Sequence, residues 1–114
     1  MLPGTLNIEV IAGDGYRNVI TFKDALGEII NVSGYTFSSQ IRKNAKSEIA
    51  TDFDIDDSDG ENGTIAISLS GDKVRALGLG RNLWDLEYVV GNSDPTTILG
   101  GTFKVLPDIT RLTV

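Results

Sequence analysis

The 114-residue chain has the length of one ordinary domain, with 40% hydrophobic and 23% charged residues, enough to bury a core without disulfide or metal staples. It contains neither cysteine nor histidine, which excludes disulfides, zinc–thiolate sites and thiol or imidazole catalysis. The net charge is −6, and basic residues stand singly apart from Arg42–Lys43 and nearby Lys46, so neither nucleic acid nor, given the short apolar runs, a membrane is expected as a partner.

The dominant period along the chain is two, the alternation of half-buried strands, interrupted by clusters of Gly, Asp, Asn, Pro and Ser. Leu6, Ile8 and Val10 alternate with Asn7 and Glu9 before a turn at Gly13–Asp14–Gly15. Val19, Thr21 and Phe22 mark a second strand within Arg17–Lys23; Asp24–Ala25–Leu26–Gly27 reads as a hairpin turn, and Glu28–Val32 resumes extended structure up to Ser33–Gly34. In YTFSSQIRK, Tyr35, Phe37, Ser39 and Ile41 share one face while Thr36, Ser38, Gln40 and Arg42 share the other, the pattern of an antiparallel strand wet on one side. After a turn at Asn44–Ala45–Lys46, Ile49, Thr51, Phe53 and Ile55 alternate with Ala50, Asp52, Asp54 and Asp56, and Ile65, Ile67 and Leu69 follow with Ala66 and Ser68 between them.

One short helix is predicted over Gly71–Leu77, with Ser70 as N-cap, Asp72 in the first turn and Gly78 at the C-cap. Trp84, Leu86, Tyr88 and Val90 then oppose Asp85 and Glu87; their phase favours core packing for Trp84 and Tyr88, with stacking on a sugar or base as the lesser alternative. Gly91–Asn92–Ser93–Asp94–Pro95 turns the chain into a last strand, Thr96–Leu106, which carries Leu99, Phe103 and Val105 in phase and stops at Pro107. The expected fold is all-β: an immunoglobulin-like antiparallel β-sandwich of about seven strands with one short helix near residues 71–77. Residues 1–107 form one sandwich domain and 108–114 a C-terminal tail.

The chemistry-bearing candidates are few. DFDIDDSDGENG, residues 52–63, holds five aspartates and one glutamate. A calcium loop of the EF-hand type needs D-x-[DN]-x-[DN]-G and an acid at its twelfth position. From Asp52 the sixth residue is Asp57 and the twelfth Gly63; from Asp54 the twelfth is Ile65; from Asp57 it is Ser68. No register fits. Asp52, Asp54 and Asp56 read instead as the solvent face of a strand whose other face is Thr51, Phe53 and Ile55. Asp59–Gly60 and Asn62–Gly63 read as turn dipeptides favouring positive φ. Asp52, Asp54, Asp56, Asp57 and Asp59 are thus only weak calcium candidates. Ser70–Gly71–Asp72–Lys73 matches S-x-x-K without its companion motifs and reads as the helix cap, and Gly78–Leu79–Gly80–Arg81 lacks the third glycine of a dinucleotide loop. In the tail, Ile109, Leu112 and Val114 flank Arg111; a solvated tail has little use for three apolar residues, and these four are expected to pair along the domain's edge or to dock on a neighbour.

Three segments together carry a family resemblance: NVITFKDALGEIINVSGYTFSSQIRK, NGTIAISLSGDKVRALGLGRNLWDLEYVV and TTILGGTFKVLPDITR. In order and spacing they resemble the small immunoglobulin-like β-sandwich domains of tailed bacteriophages, which include the N-terminal domain of baseplate upper proteins and related stand-alone tail and virion proteins. The match runs through Gly34–Tyr35–Thr36–Phe37 and Gln40–Ile41–Arg42; then Gly63, Ile67, Leu69, Ser70, Leu77, Gly80, Trp84, Asp85 and Leu86; then Gly101, Val105, Pro107, Asp108, Thr110 and Arg111. The helix SGDKVRALGLG departs from the acidic capped form of those domains, and the first strand has no clear counterpart.

The resemblance implies a non-enzymatic structural component of a tailed-phage virion, a tail, baseplate or collar adaptor or a capsid decoration. It would act through contacts with other virion proteins and be present as a symmetric homo-oligomer or in multiple copies. No cofactor is implied. MLPGTLNIEV lacks the basic and long apolar regions of a signal peptide, so the chain is expected to be made in the host cytoplasm and carried in the virion. A chain ending just after the sandwich fits an adaptor or decoration better than host recognition. The alternative is a free-standing carbohydrate- or calcium-binding β-sandwich module.

Overall fold

The computed structural model describes residues 4–109. In chain order the elements are β1 (Gly4–Thr5), β2 (Ile8–Ile11), β3 (Tyr16–Thr21), β4 (Tyr35–Arg42), β5 (Thr51–Asp52), β6 (Asp54–Asp56), a 3-10 turn (Gly60–Asn62), β7 (Thr64–Leu69), α1 (Gly71–Leu77), β8 (Gly80–Val90) and β9 (Thr96–Leu106). They build two sheets. One has three strands in the order β3–β7–β6; the other runs β9–β8–β4–β5, with both β1 and β2 alongside β9. The sheets β3–β7–β6 and β9–β8–β4 pack face to face as a β-sandwich. The all-β sandwich expected from the alternation is the fold observed.

The core lies where the inner faces meet. Ile41 from β4, Ile65, Ile67 and Leu69 from β7, Trp84 and Leu86 from β8, and Phe103 and Val105 from β9 are all buried, as the period-two pattern requires. Each such side chain contributes on the order of 1.5–3 kcal/mol when fully buried. Phe53 meets Trp84 and Phe103 edge-on and Tyr16 at a tilt, at ring-centroid distances of 5.7, 5.9 and 6.2 Å. The helix forms as its caps dictate. The Ser70 hydroxyl accepts from the Lys73 amide at 3.2 Å, the Gly78 amide donates to the Arg75 carbonyl, and Val74, fully buried, ties this short element to the core.

Four local expectations are corrected. The strand predicted over Ile49–Ile55 is two strands: Thr51 and Asp52 pair with β4 in one sheet, whereas Asp54, Ile55 and Asp56 pair with β7 in the other. Ile49 precedes both and is 83% exposed, because the chain has not yet reached the sheet. In β3 the inward residues are the even ones, Tyr16 and Ile20, and Val19 is 47% exposed; Val and Thr are good strand formers on either face, so their presence did not fix the phase. Of the two turn glycines, Gly63 is left-handed (φ 70°), but Gly60 is not and sits instead against the Ser33 main chain.

The sandwich is also not purely antiparallel. β1 and β2 both run parallel to β9, a pairing that needs no hairpin and so leaves no turn signal in the sequence. Between them, Leu6 and Asn7 interrupt the strand. The Leu6 carbonyl accepts the Trp84 indole N–H at 2.8 Å, and the Asn7 side-chain oxygen accepts from the Thr102 amide at 3.1 Å. Gly101 makes this possible: a Cβ there would strike the Leu6 carbonyl.

Trp84→Phe keeps an aromatic ring in the core but orphans the Leu6 carbonyl. The expected loss is about 1–2 kcal/mol, measured by urea denaturation followed by far-UV circular dichroism.

Candidate functional site

The acidic segment was the first candidate, and its geometry follows from the switch of sheets at Phe53. With Phe53 inward, Asp52 and Asp54 on either side point to solvent. Four of the five carboxylates then have partners of their own. Asp52 accepts from the Gln40 side-chain amide at 2.9 Å, and Asp54 lies 3.5 Å from the Lys73 ammonium. Asp56 accepts from the Ser58 amide and hydroxyl at 3.0 and 2.6 Å, and Asp59 accepts from the Asn62 side chain at 2.7 Å. The Asp57 carbonyl closes the turn by accepting from the Gly60 amide. Among the described residues no three acidic side chains converge as metal ligands. The hydrogen bonds from Ser58 hold the exposed Asp56 carboxyl below the ordinary aspartate range.

A second polar group gathers on the outer face of the larger sheet, in a concavity of about 450 Å³ lined by Ser38, Gln40, Arg42, Ala45, Leu83, Asp85 and Glu87 and by part of Trp84. Gln40 stands beside Asp85 in the β4–β8 register. The Arg42 guanidinium donates to the Ser47 carbonyl at 2.6 Å and to the Gln40 side-chain oxygen at 3.0 Å. Asp52, Gln40, Arg42 and Ser47 thus form one chain of hydrogen bonds that pins β5 and the preceding loop to β4. Partial burial raises the Asp85 carboxyl above the ordinary range, against the lowering pull of Arg42. Ser39, on the inner face, donates to the Asp85 carbonyl at 2.6 Å. Sequence reasoning placed Gln40, Arg42, Asp85 and Glu87 on a wet face but found no link among them. That link is cross-strand register, which a single sequence does not display.

The third candidate is the end of the sandwich from which the chain leaves β9. Ala12, Arg75, Leu79, Pro107 and Asp108 line a hollow there of about 280 Å³. Of its lining, Leu79 is exposed, and so are Ile11 and Ile109, the chain neighbours of Ala12 and Asp108, Ile109 at 96%. Of the predicted docking residues, Ile109 is therefore free of the core; Arg111, Leu112 and Val114 lie outside the described residues. Trp84, by contrast, is only 4% exposed and its indole N–H is engaged, so its ring offers no platform for a sugar.

No protein-family model matches the chain, and no curated protein matches it.

Two outcomes follow from these geometries. Millimolar calcium is expected to leave the melting temperature unchanged in differential scanning calorimetry, because the aspartates are dispersed among separate donors; a rise that a chelator reverses would restore the cation site. For Asp85, a carboxyl raised by folding favours the native state below its ordinary value, and that contribution is lost as pH rises through the raised one. Asp85→Asn should therefore gain stability relative to the wild type between about pH 3 and pH 7, measured as the shift in denaturation midpoint.

Proposed function

We propose that this chain is a non-enzymatic structural component of a tailed-phage virion and acts through protein–protein contacts with other virion proteins. The single observation that carries the reading is the apolar end of the sandwich. Leu79 lines the hollow and is exposed, Ile11 and Ile109 are exposed next in sequence to its lining residues Ala12 and Asp108, and Ile109, three residues beyond the end of β9, is not part of the core. A soluble domain gains nothing by gathering large aliphatic side chains at one exposed end unless another surface covers them. The collinear motifs in residues 17–111 support placing that surface in a phage particle, repeated by the symmetry of the particle.

On this reading the sandwich is a rigid spacer. Its sheets hold the end patch in place, where a neighbour docks. The polar outer face built on Gln40, Arg42 and Asp85 keeps the rest of the surface hydrated.

Substituting Ile109→Asp is expected to leave the melting temperature unchanged, since the side chain is exposed, and to reduce incorporation of the protein into gradient-purified particles by tenfold or more, on the order of 1.4 kcal/mol or greater per contact. Quantitative blotting of particle fractions against free protein makes the comparison. Wild-type protein that never sediments with particles would overturn the virion reading.

A further inference from the structure

The sandwich has four sheet edges, and three are guarded against pairing with another chain. β5 is a two-residue strand carrying Asp52, and β6 is a three-residue strand bounded by Asp54 and Asp56. On the other side β1 and β2 are short and separated by the interruption at Leu6–Asn7, and β2 carries Glu9. Short strands, breaks and charges are the ordinary devices that stop edge-to-edge association. The fourth edge, β3, is guarded only by the single charge of Arg17. It is six residues long, YRNVIT, without proline, acid or break, and it pairs on one side only, with β7.

The phase of the ladder shows which groups this edge offers. The Phe22 amide donates to the Gly63 carbonyl at 2.7 Å, directly beyond the pair Thr21–Thr64. Even-numbered residues of β3 therefore turn their N–H and C=O groups toward β7, and Arg17, Val19 and Thr21 turn theirs outward. Among the described residues nothing accepts from or donates to these outward groups. The side chains of Arg17, Val19 and Thr21 are exposed on the outer face of the sheet as well.

We propose that the β3 edge pairs antiparallel with the β3 edge of a second copy of this chain, across a two-fold axis at Val19. The strand is self-complementary in one register, the one that pairs all three outward residues within β3. With the axis at Val19, Val19 faces Val19 and Arg17 faces Thr21 in both directions, so all three outward residues of each copy exchange hydrogen bonds, about six in total. Moving the axis to Arg17 sets arginine against arginine. Moving it to the point between Val19 and Thr21 sets Arg17 against Lys23. Like charges directly opposite disfavour both alternatives. In the Val19 register a β-branched pair sits at the centre and the two three-stranded sheets become one continuous sheet. Such a contact is isologous and closes on itself. It rests on the assembly reading only in taking a protein as the partner, and it leaves the apolar end around Ile109 free for a different neighbour.

The chain has no cysteine, so a single introduced thiol reports the register. Facing residues in such a ladder lie about 5.5 Å apart at Cα, within disulfide range, whereas a residue two positions from the axis lies roughly 14 Å from its own copy. Under mild oxidation Val19→Cys is expected to give a covalent dimer on a non-reducing gel, and Arg17→Cys is not. Hydrogen exchange at the Arg17, Val19 and Thr21 amides should slow as protein concentration rises. Val19→Pro removes only an outward N–H and should sediment as a monomer; Val19→Lys, which sets two ammonium groups face to face, serves if the proline variant fails to fold. Equal crosslinking of the two cysteine variants, or wild-type protein that sediments as a monomer at its highest soluble concentration, overturns the proposal. Ile109→Asp should leave the Val19→Cys crosslink intact, so failure of the virion contact and failure of this one are read separately.

Discussion

The two sheets of this sandwich are stitched together at one residue. The Phe53 amide donates to the Ser39 carbonyl of the larger sheet at 3.0 Å, the residues just before it pair with β4, and those just after it pair with β7 of the smaller sheet. Its ring meanwhile fills the space between the sheets against Tyr16, Trp84 and Phe103. A polar residue at this position would leave the core with a void and an uncompensated polar group. With Phe53 held inward, Asp52 and Asp54 are forced outward, each onto the exposed rim of a different sheet. The acidic character of this stretch is thus a property of two sheet edges and of the turn that follows them.

That placement gives the net charge a structural meaning. Carboxylates line the side of the sandwich where the chain changes sheets, and the opposite side presents β3 with a single arginine. Charge on one rim and bare backbone on the other make the two sides of the domain chemically unlike, so neighbours of different kinds are drawn to different sides. The Asp52–Gln40–Arg42–Ser47 chain of hydrogen bonds adds to this by keeping the short strand β5 in register, where its two residues alone would fray.

Most of the fold was legible in the sequence because the larger strands are wet on one face only. The alternation in Tyr35–Arg42 and Thr64–Leu69 leaves a single phase that buries Ile41, Ile65, Ile67 and Leu69, and Ser70 and Gly78 bracket a helix that forms between those limits. What escaped has a common cause. The phase of β3 was missed because Val19 and Ile20 are both apolar and adjacent, and either satisfies a strand pattern. The change of sheet at Phe53 leaves the alternation undisturbed, since the polypeptide stays extended through it. The parallel lie of β1 and β2 along β9 depends on partners some 95 residues apart, the separation of Asn7 from Thr102, and no local motif encodes it. For the candidate sites, the exposed tail residue Ile109 was visible as an apolar residue after Pro107, but the hollow beside it joins Ala12, Arg75 and Leu79 from distant segments.

The parallel pairing also decides how the domain bears load. β1 and β2 enter at one end of the larger sheet and β9 leaves at the other, side by side and in the same direction. Tension applied through the two ends of the described chain therefore runs along both strands in opposite senses. It shears the ladder between β2 and β9 instead of peeling it, so the hydrogen bonds from Ile8–Phe103 to Ile11–Leu106 must yield together and not one after another. The indole of Trp84, anchored to the Leu6 carbonyl, lies in the same line of force as a rivet between the first strand and the centre of the sheet.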